Sequence, residues 1–132
     1  MVGIVIASHA NMAQSLVSAA EMILGPLTQV QAVSISREDG LEAIRTRFAQ
    51  AIEQVSEADG VLILTDLFGG TPSNVGISFL KPGRVELLTG VNLPMLLKAL
   101  GERSGLPLAE VAAGLKDYAR ESILVASEVL AR

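Results

Sequence analysis

Short apolar runs recur along this chain, and each is separated from the next by a segment with helical periodicity. Residues 2–7, 30–35, 60–65 and 85–88 read as strands. Between the first two, residues 11–24 space Met12, Leu16, Ala19, Ala20 and Ile23 as on one helix, and Gly25-Pro26 stops it. Ser36 offers an N-cap, with Glu38 and Asp39 in the first turn, ahead of a stripe of Leu41, Ile44, Phe48, Ala51, Ile52 and Val55. Such alternation demands parallel pairing, right-handed crossovers and helices on both faces. The expected fold is α/β, a doubly wound sheet in three layers.

The second half follows the same grammar. Residues 60–65 form the most apolar run, as expected for a strand buried on both faces. Thr71-Pro72 is a helix start, a hydroxyl N-cap followed by proline at the first helical position; Lys81-Pro82-Gly83 ends that short helix. A helix beginning at Asn92 or Leu93-Pro94 runs through Leu100, and another runs from Leu106-Pro107 to about Arg120. Residues 122–127 read as a fifth strand or a continued helix, their β-branched content favouring strand.

At 132 residues the chain is the size of one domain with a real core, so residues 1–132 are taken as a single unit. Aromatic residues make up only 3%, which makes that core aliphatic. A net charge of -4 argues against a nucleic-acid binder, which needs a basic face. With no cysteine and one histidine, neither a disulfide, a thiol nucleophile nor a metal cluster is expected within one chain, and no cofactor is implied. The N-terminus lacks a basic leader pattern, and no apolar stretch approaches the ~20 residues of a membrane span. A cytoplasmic protein is the expectation.

That single histidine, His9, closes the first strand, and Asp66 closes the third. If the strand order is 2-1-3-4, the two strands are neighbours whose connections leave on opposite sides, the place where open α/β sheets build sites. Imidazole titrates near neutral pH and presents a nucleophilic nitrogen. A carboxylate on one ring nitrogen fixes the tautomer and frees the other. Asp66 suits that orienting role. Gly69 and Gly70 permit close backbone approach, the helix start after Gly70 favours an anion, and Thr71 and Ser73 add hydroxyls. Each piece also has a plain reading: a stray histidine, an aspartate capping a turn, a tight turn before a helix. Their convergence at one sheet edge favours a phosphoryl group held on histidine. P-loop, dinucleotide and nucleophile-elbow patterns are all absent. A triad using Ser8 or Ser73 is disfavoured by geometry.

At these residues the chain resembles the IIA component of the mannose/fructose/sorbose class of the bacterial phosphoenolpyruvate-dependent sugar phosphotransferase system. The matching pieces are residues 2–9, 20–25, 60–74 and 89–96, with Asp66-Leu-Phe-Gly-Gly-Thr-Pro-Ser-Asn74 the most specific. The resemblance implies a phosphotransferase in which His9 accepts phosphate from the histidine-phosphocarrier protein HPr and passes it to a IIB component. Asp66 binds the near ring nitrogen, and the phosphate-binding residues are Gly70, Thr71, Ser73 and Asn74. It also implies strand order 2-1-3-4, an antiparallel fifth strand exchanged within a homodimer, and a membrane association made only through IIC and IID components. No Ala/Pro-rich linker follows, so IIB is expected on a separate chain. Two alternatives stay open: a stand-alone regulatory module that signals through His9 phosphorylation, and the related phosphoryl donor subunit of dihydroxyacetone kinase. The Gly-Gly-Thr-Pro pattern argues against the latter.

Overall fold

Along the two central strands, alternate side chains point to opposite faces, and both faces are apolar. In β1 (Gly3–His9), Ile4 and Ile6 enter one core while Val5 and Ala7 enter the other. In β3 (Val61–Thr65), Leu62 and Leu64 join the first and Val61 and Ile63 the second. A computed structural model describes residues 1–56 and 59–131. With β2 (Val30–Ile35) and β4 (Val85–Thr89) the strands form one parallel sheet, ordered β2-β1-β3-β4. The expected order 2-1-3-4 is therefore the observed one.

Helices close both faces. The first core receives Ala13 and Ala20 of α1 (Met12–Leu24), Met95, Leu96 and Ala99 of α4 (Leu93–Glu102), and Val111 and Leu115 of α5 (Leu108–Glu121). The second receives Ile44, Phe48 and Ala51 of α2 (Leu41–Gln54) and Val75 of α3 (Thr71–Ile77). Each fully buried Ile or Leu on these strands contributes about 1.5–3 kcal/mol. This three-layer burial is what holds β1 and β3 in register, Ala7 opposite Thr65. From the ends of those strands the chain leaves toward opposite faces, into α1 and into α3.

Several local expectations change. β1 continues to His9 because Ser8 and His9 still pair with Ser34 and Ile35 of β2. The buried stripe of α1 turns toward Ala13 and Ala20, leaving Met12 and Ile23 exposed. Ser36 is not an N-cap. Its amide donates to Asp39 Oδ2 at 2.8 Å, closing a turn, and α2 starts later with Gly40 as its cap. Gly70, not Thr71, is the N-cap of α3, so Pro72 takes the second helical position. That helix ends at Ile77, tightening through bonds from Ser78, Phe79 and Leu80 to carbonyls three residues back before the Lys81-Pro82-Gly83 segment. Of the two starts offered for α4, Leu93 is the first helical residue and Asn92 its cap, its Oδ1 accepting from the Met95 amide at 2.8 Å.

The fifth strand expected over 122–127 is not formed within the chain. Ile123, Leu124 and Val125 are exposed without regular structure, and a short helix α6 (Ala126–Leu130) follows. An extended segment needs a free strand edge to pair with, and no such pairing is made among the described residues.

Close packing at the start of β1 supplies a test. A Cβ on Gly3 would overlap the Val55 carbonyl oxygen and lie 2.7 Å from Val55 Cβ. Gly3→Ala is expected to lower the unfolding free energy by about 1–3 kcal/mol, read as a lower urea midpoint at unchanged slope. An unmoved midpoint would show that the end of α2 yields freely there.

Candidate functional site

His9 shares its face of the sheet with Val5 and Ala7, by the two-residue period of β1, and so looks toward α2 and α3. Asp66 follows β3 directly, and pairing of the two strands brings both residues to the carboxyl edge. The contact is close and repeated. Asp66 Oδ2 lies 2.8 Å from His9 Nδ1 and also accepts the His9 backbone amide at 2.9 Å, while Oδ1 accepts the Leu67 amide at 3.0 Å. One carboxylate thus holds both the ring and the main chain of the same histidine.

Burial pushes the Asp66 carboxyl up, but the His9 amide, the His9 ring and the Leu67 amide outweigh it and hold it below the ordinary aspartate value. A carboxylate only accepts, so a neutral His9 ring carries its hydrogen on Nδ1. Nε2 is left with its lone pair. The His9 side chain is half exposed whereas that of Asp66 is only 9% exposed, so the orienting group is buried and the reactive ring is open.

Gly70 sets the other side of the ring. A Cβ there would stand 2.6 Å from His9 Cε1 and 3.1 Å from Nε2, so only a glycine lets the start of α3 come this close. Thr71 is exposed and lines, with His9, a cavity of about 730 Å³ whose apolar wall includes Ile35, Leu41 and Ile44. Ser73 points elsewhere. It is buried, its hydroxyl shared with Thr65 Oγ1 at 2.6 Å and donated to the Leu67 carbonyl, so it braces the 66–73 turn from below. Asn74 is exposed and its Nδ2 reaches only the Gly69 carbonyl, at 3.4 Å. Of the four residues expected around an anion, Gly70 lies against the ring and Thr71 lines the cavity beside it.

The structure also shows what patterns in the chain concealed. Ser8 faces away from His9, buried, its Oγ accepting the Ala13 amide at 2.7 Å at the start of α1. No triad can be built from it. Ala10 takes a left-handed φ of 51°, turning the chain toward α1 immediately after His9; that conformation costs a non-glycine residue about 1–2 kcal/mol. Arg37, just past β2, lines the same cavity. Its signal was indirect: it follows the strand that pairs with β1, so its position depends on sheet order. No group of acidic or histidine side chains among the described residues could hold a metal ion.

With this arrangement defined, comparison with known proteins is decisive. The sequence model of the family described as "PTS system fructose IIA component" matches residues 3–116. This chain belongs to the mannose/fructose/sorbose class of phosphotransferase-system IIA components. It is 34% identical over 131 residues to the "PTS system fructose-specific EIIA component" of Bacillus subtilis, covering 98% of this chain and 90% of that one. A solved EIIA structure from Streptococcus agalactiae superposes with a TM-score of 0.87 at 25% identity, covering 97% of this chain and 99% of that one. The mannose/sorbose-specific IIA subunit from Enterococcus faecalis gives a TM-score of 0.84 at 28% identity, with coverage of 94% and 93%. As a IIA component, this chain is a phosphotransferase-type protein of sugar uptake. Among its described residues no helix is long and apolar enough to cross a membrane.

The Asp66 contacts carry a pH signature. A carboxyl held low in the native state stabilises the fold above the unfolded value, about 3.9, and that contribution is lost as pH falls through the lower native value. The stability of wild type should therefore decline more steeply than that of Asp66→Asn between about pH 5 and pH 2, measured by urea unfolding. Parallel profiles would mean that these hydrogen bonds do not favour the ionised form.

Proposed function

We propose that this IIA component carries a phosphoryl group on His9 Nε2, received from phosphorylated HPr and handed to a IIB component. The observation that supports this most is the 2.8 Å contact between His9 Nδ1 and Asp66, with the far edge of the ring open. In the transfer, the Nε2 lone pair attacks phosphorus and the bond to the donor nitrogen breaks. Positive charge grows on the imidazole, which keeps its Nδ1 hydrogen, and Asp66 stabilises that charge by accepting the Nδ1–H bond. Asp66 is a positioning residue; His9 is the catalytic one. The phosphoryl oxygens then face the start of α3, where Gly70 gives room and Thr71 offers an amide and a hydroxyl.

A relay between proteins also needs a docking face around the exposed ring. Leu67 and Phe68 stand beside Asp66, and Phe68 is 75% exposed, an unusual place for a phenyl ring unless a partner covers it. We further propose that two copies pair through the tail. Ile123–Val125 would add an antiparallel strand to the partner's β4, which is a free edge in the single chain. On this reading residues 1–132 act as one phosphocarrier domain.

The test is phosphorylation by phosphoenolpyruvate, enzyme I and HPr. Wild type should acquire an acid-labile, alkali-stable phosphate, and His9→Ala should take up none. Gly70→Ala, which crowds the ring, should slow uptake roughly ten- to a hundredfold without loss of fold. Label persisting on His9→Ala would place the phosphoryl group on another residue and refute the proposal.

A further inference from the structure

A phosphoryl group on His9 would be a dianion in surroundings that are already acidic. Asp66 touches the ring, and Glu38 and Asp39 line the same cavity. Asp39 is neutralised within the wall, where its Oδ2 accepts from Arg47 Nη2 at 2.8 Å. Arg47 is in turn tied down by the Ser34 carbonyl, 2.8 Å from Nη1. Arg37 is the one cationic side chain lining the cavity, and its guanidinium has no ion pair or hydrogen bond among the described residues. Backbone pairing puts it there. His9 lies opposite Ile35, and the Ala10 amide donates to the Ile35 carbonyl at 2.8 Å. Arg37 stands two residues further along the chain and lines the same cavity as the ring.

We infer that Arg37 binds the phosphoryl oxygens carried on His9 Nε2 and offsets the negative charge of Asp66. This rests on His9 being the carrier. The planar guanidinium fork of N–H donors matches two phosphate oxygens at once. Because the guanidinium belongs to this chain, its effect does not require a protein donor.

Phosphoramidate, a small phosphoryl donor, isolates that effect. Its P–N bond breaks and ammonia leaves with the protons already on its nitrogen. The Nε2–P bond forms, and the ring keeps its Nδ1 hydrogen. Arg37→Ala should phosphorylate about tenfold more slowly than wild type, the loss expected for one charge-assisted hydrogen-bonding partner. Arg37→Lys should recover part of the rate, because a point charge remains without the fork. Arg37 is exposed, so the thermal midpoint of the unphosphorylated variant should match wild type. Equal rates for Arg37→Ala and wild type with phosphoramidate would overturn the inference. So would a defect seen only with phosphorylated HPr, which would make Arg37 a reader of the donor protein. Wild type failing to take phosphate on His9 from either donor would instead remove the carrier reading itself.

Discussion

The bond from His9 Nδ1 to Asp66 joins two segments 57 residues apart, and the chemistry of the site depends on it. Alone, an imidazole distributes its hydrogen between two nitrogens and turns freely about its side-chain bonds. Here the same carboxylate oxygen accepts from the ring and from the main chain of that residue, so tautomer and orientation are set together. The other oxygen accepts the Leu67 amide, which anchors the carboxylate to its own turn. Holding the acceptor in the buried layer and the ring half in solvent lets one group orient while the other reacts.

That bond exists because β1 and β3 are neighbours, and they are neighbours because both are apolar on both faces. Nearly every residue of these two strands is buried, whereas most of those in β2 and β4 are only half-buried. β2 and β4 therefore flank the pair, and helices cover each side. The connections from the two central strands then diverge, α1 to one face and α3 to the other, leaving a crevice at the carboxyl edge. Gly70 packs against the His9 ring there, and Thr71 and Arg37 line the cavity that the ring shares. Ser73 and Thr65 lie beneath and stiffen the turn without facing it.

Much of this was legible from the amino-acid pattern, for identifiable reasons. Strand periodicity placed His9 and Asp66 at strand ends, and an apolar third strand implied a central position. Strand order, and so their adjacency, came from the family resemblance, which the comparisons bear out. What escaped were features decided by tertiary contact. Ser73 carries the same hydroxyl as Thr71, yet one faces a buried threonine and the other a cavity, a difference set by helix phase at a boundary shifted by one residue. Ser36 has the chemistry of a cap, but its bond with Asp39 closes a separate turn and α2 begins only at Leu41, with Gly40 at the cap position. The β-branched tail has strand propensity, yet it makes no strand pairing among the described residues and gives way to α6. Arg37 carries no motif at all; only sheet register brings it to the cavity that His9 lines.

The most direct measurement of the central claim is the nitrogen-15 spectrum of the His9 ring in the unphosphorylated protein, recorded above neutral pH. A carboxylate-locked ring predicts a protonated Nδ1 and a bare, pyridine-like Nε2. A ring with its hydrogen on Nε2, or two nitrogens averaged to similar shifts, would contradict the account, because neither leaves the open nitrogen free to accept phosphorus.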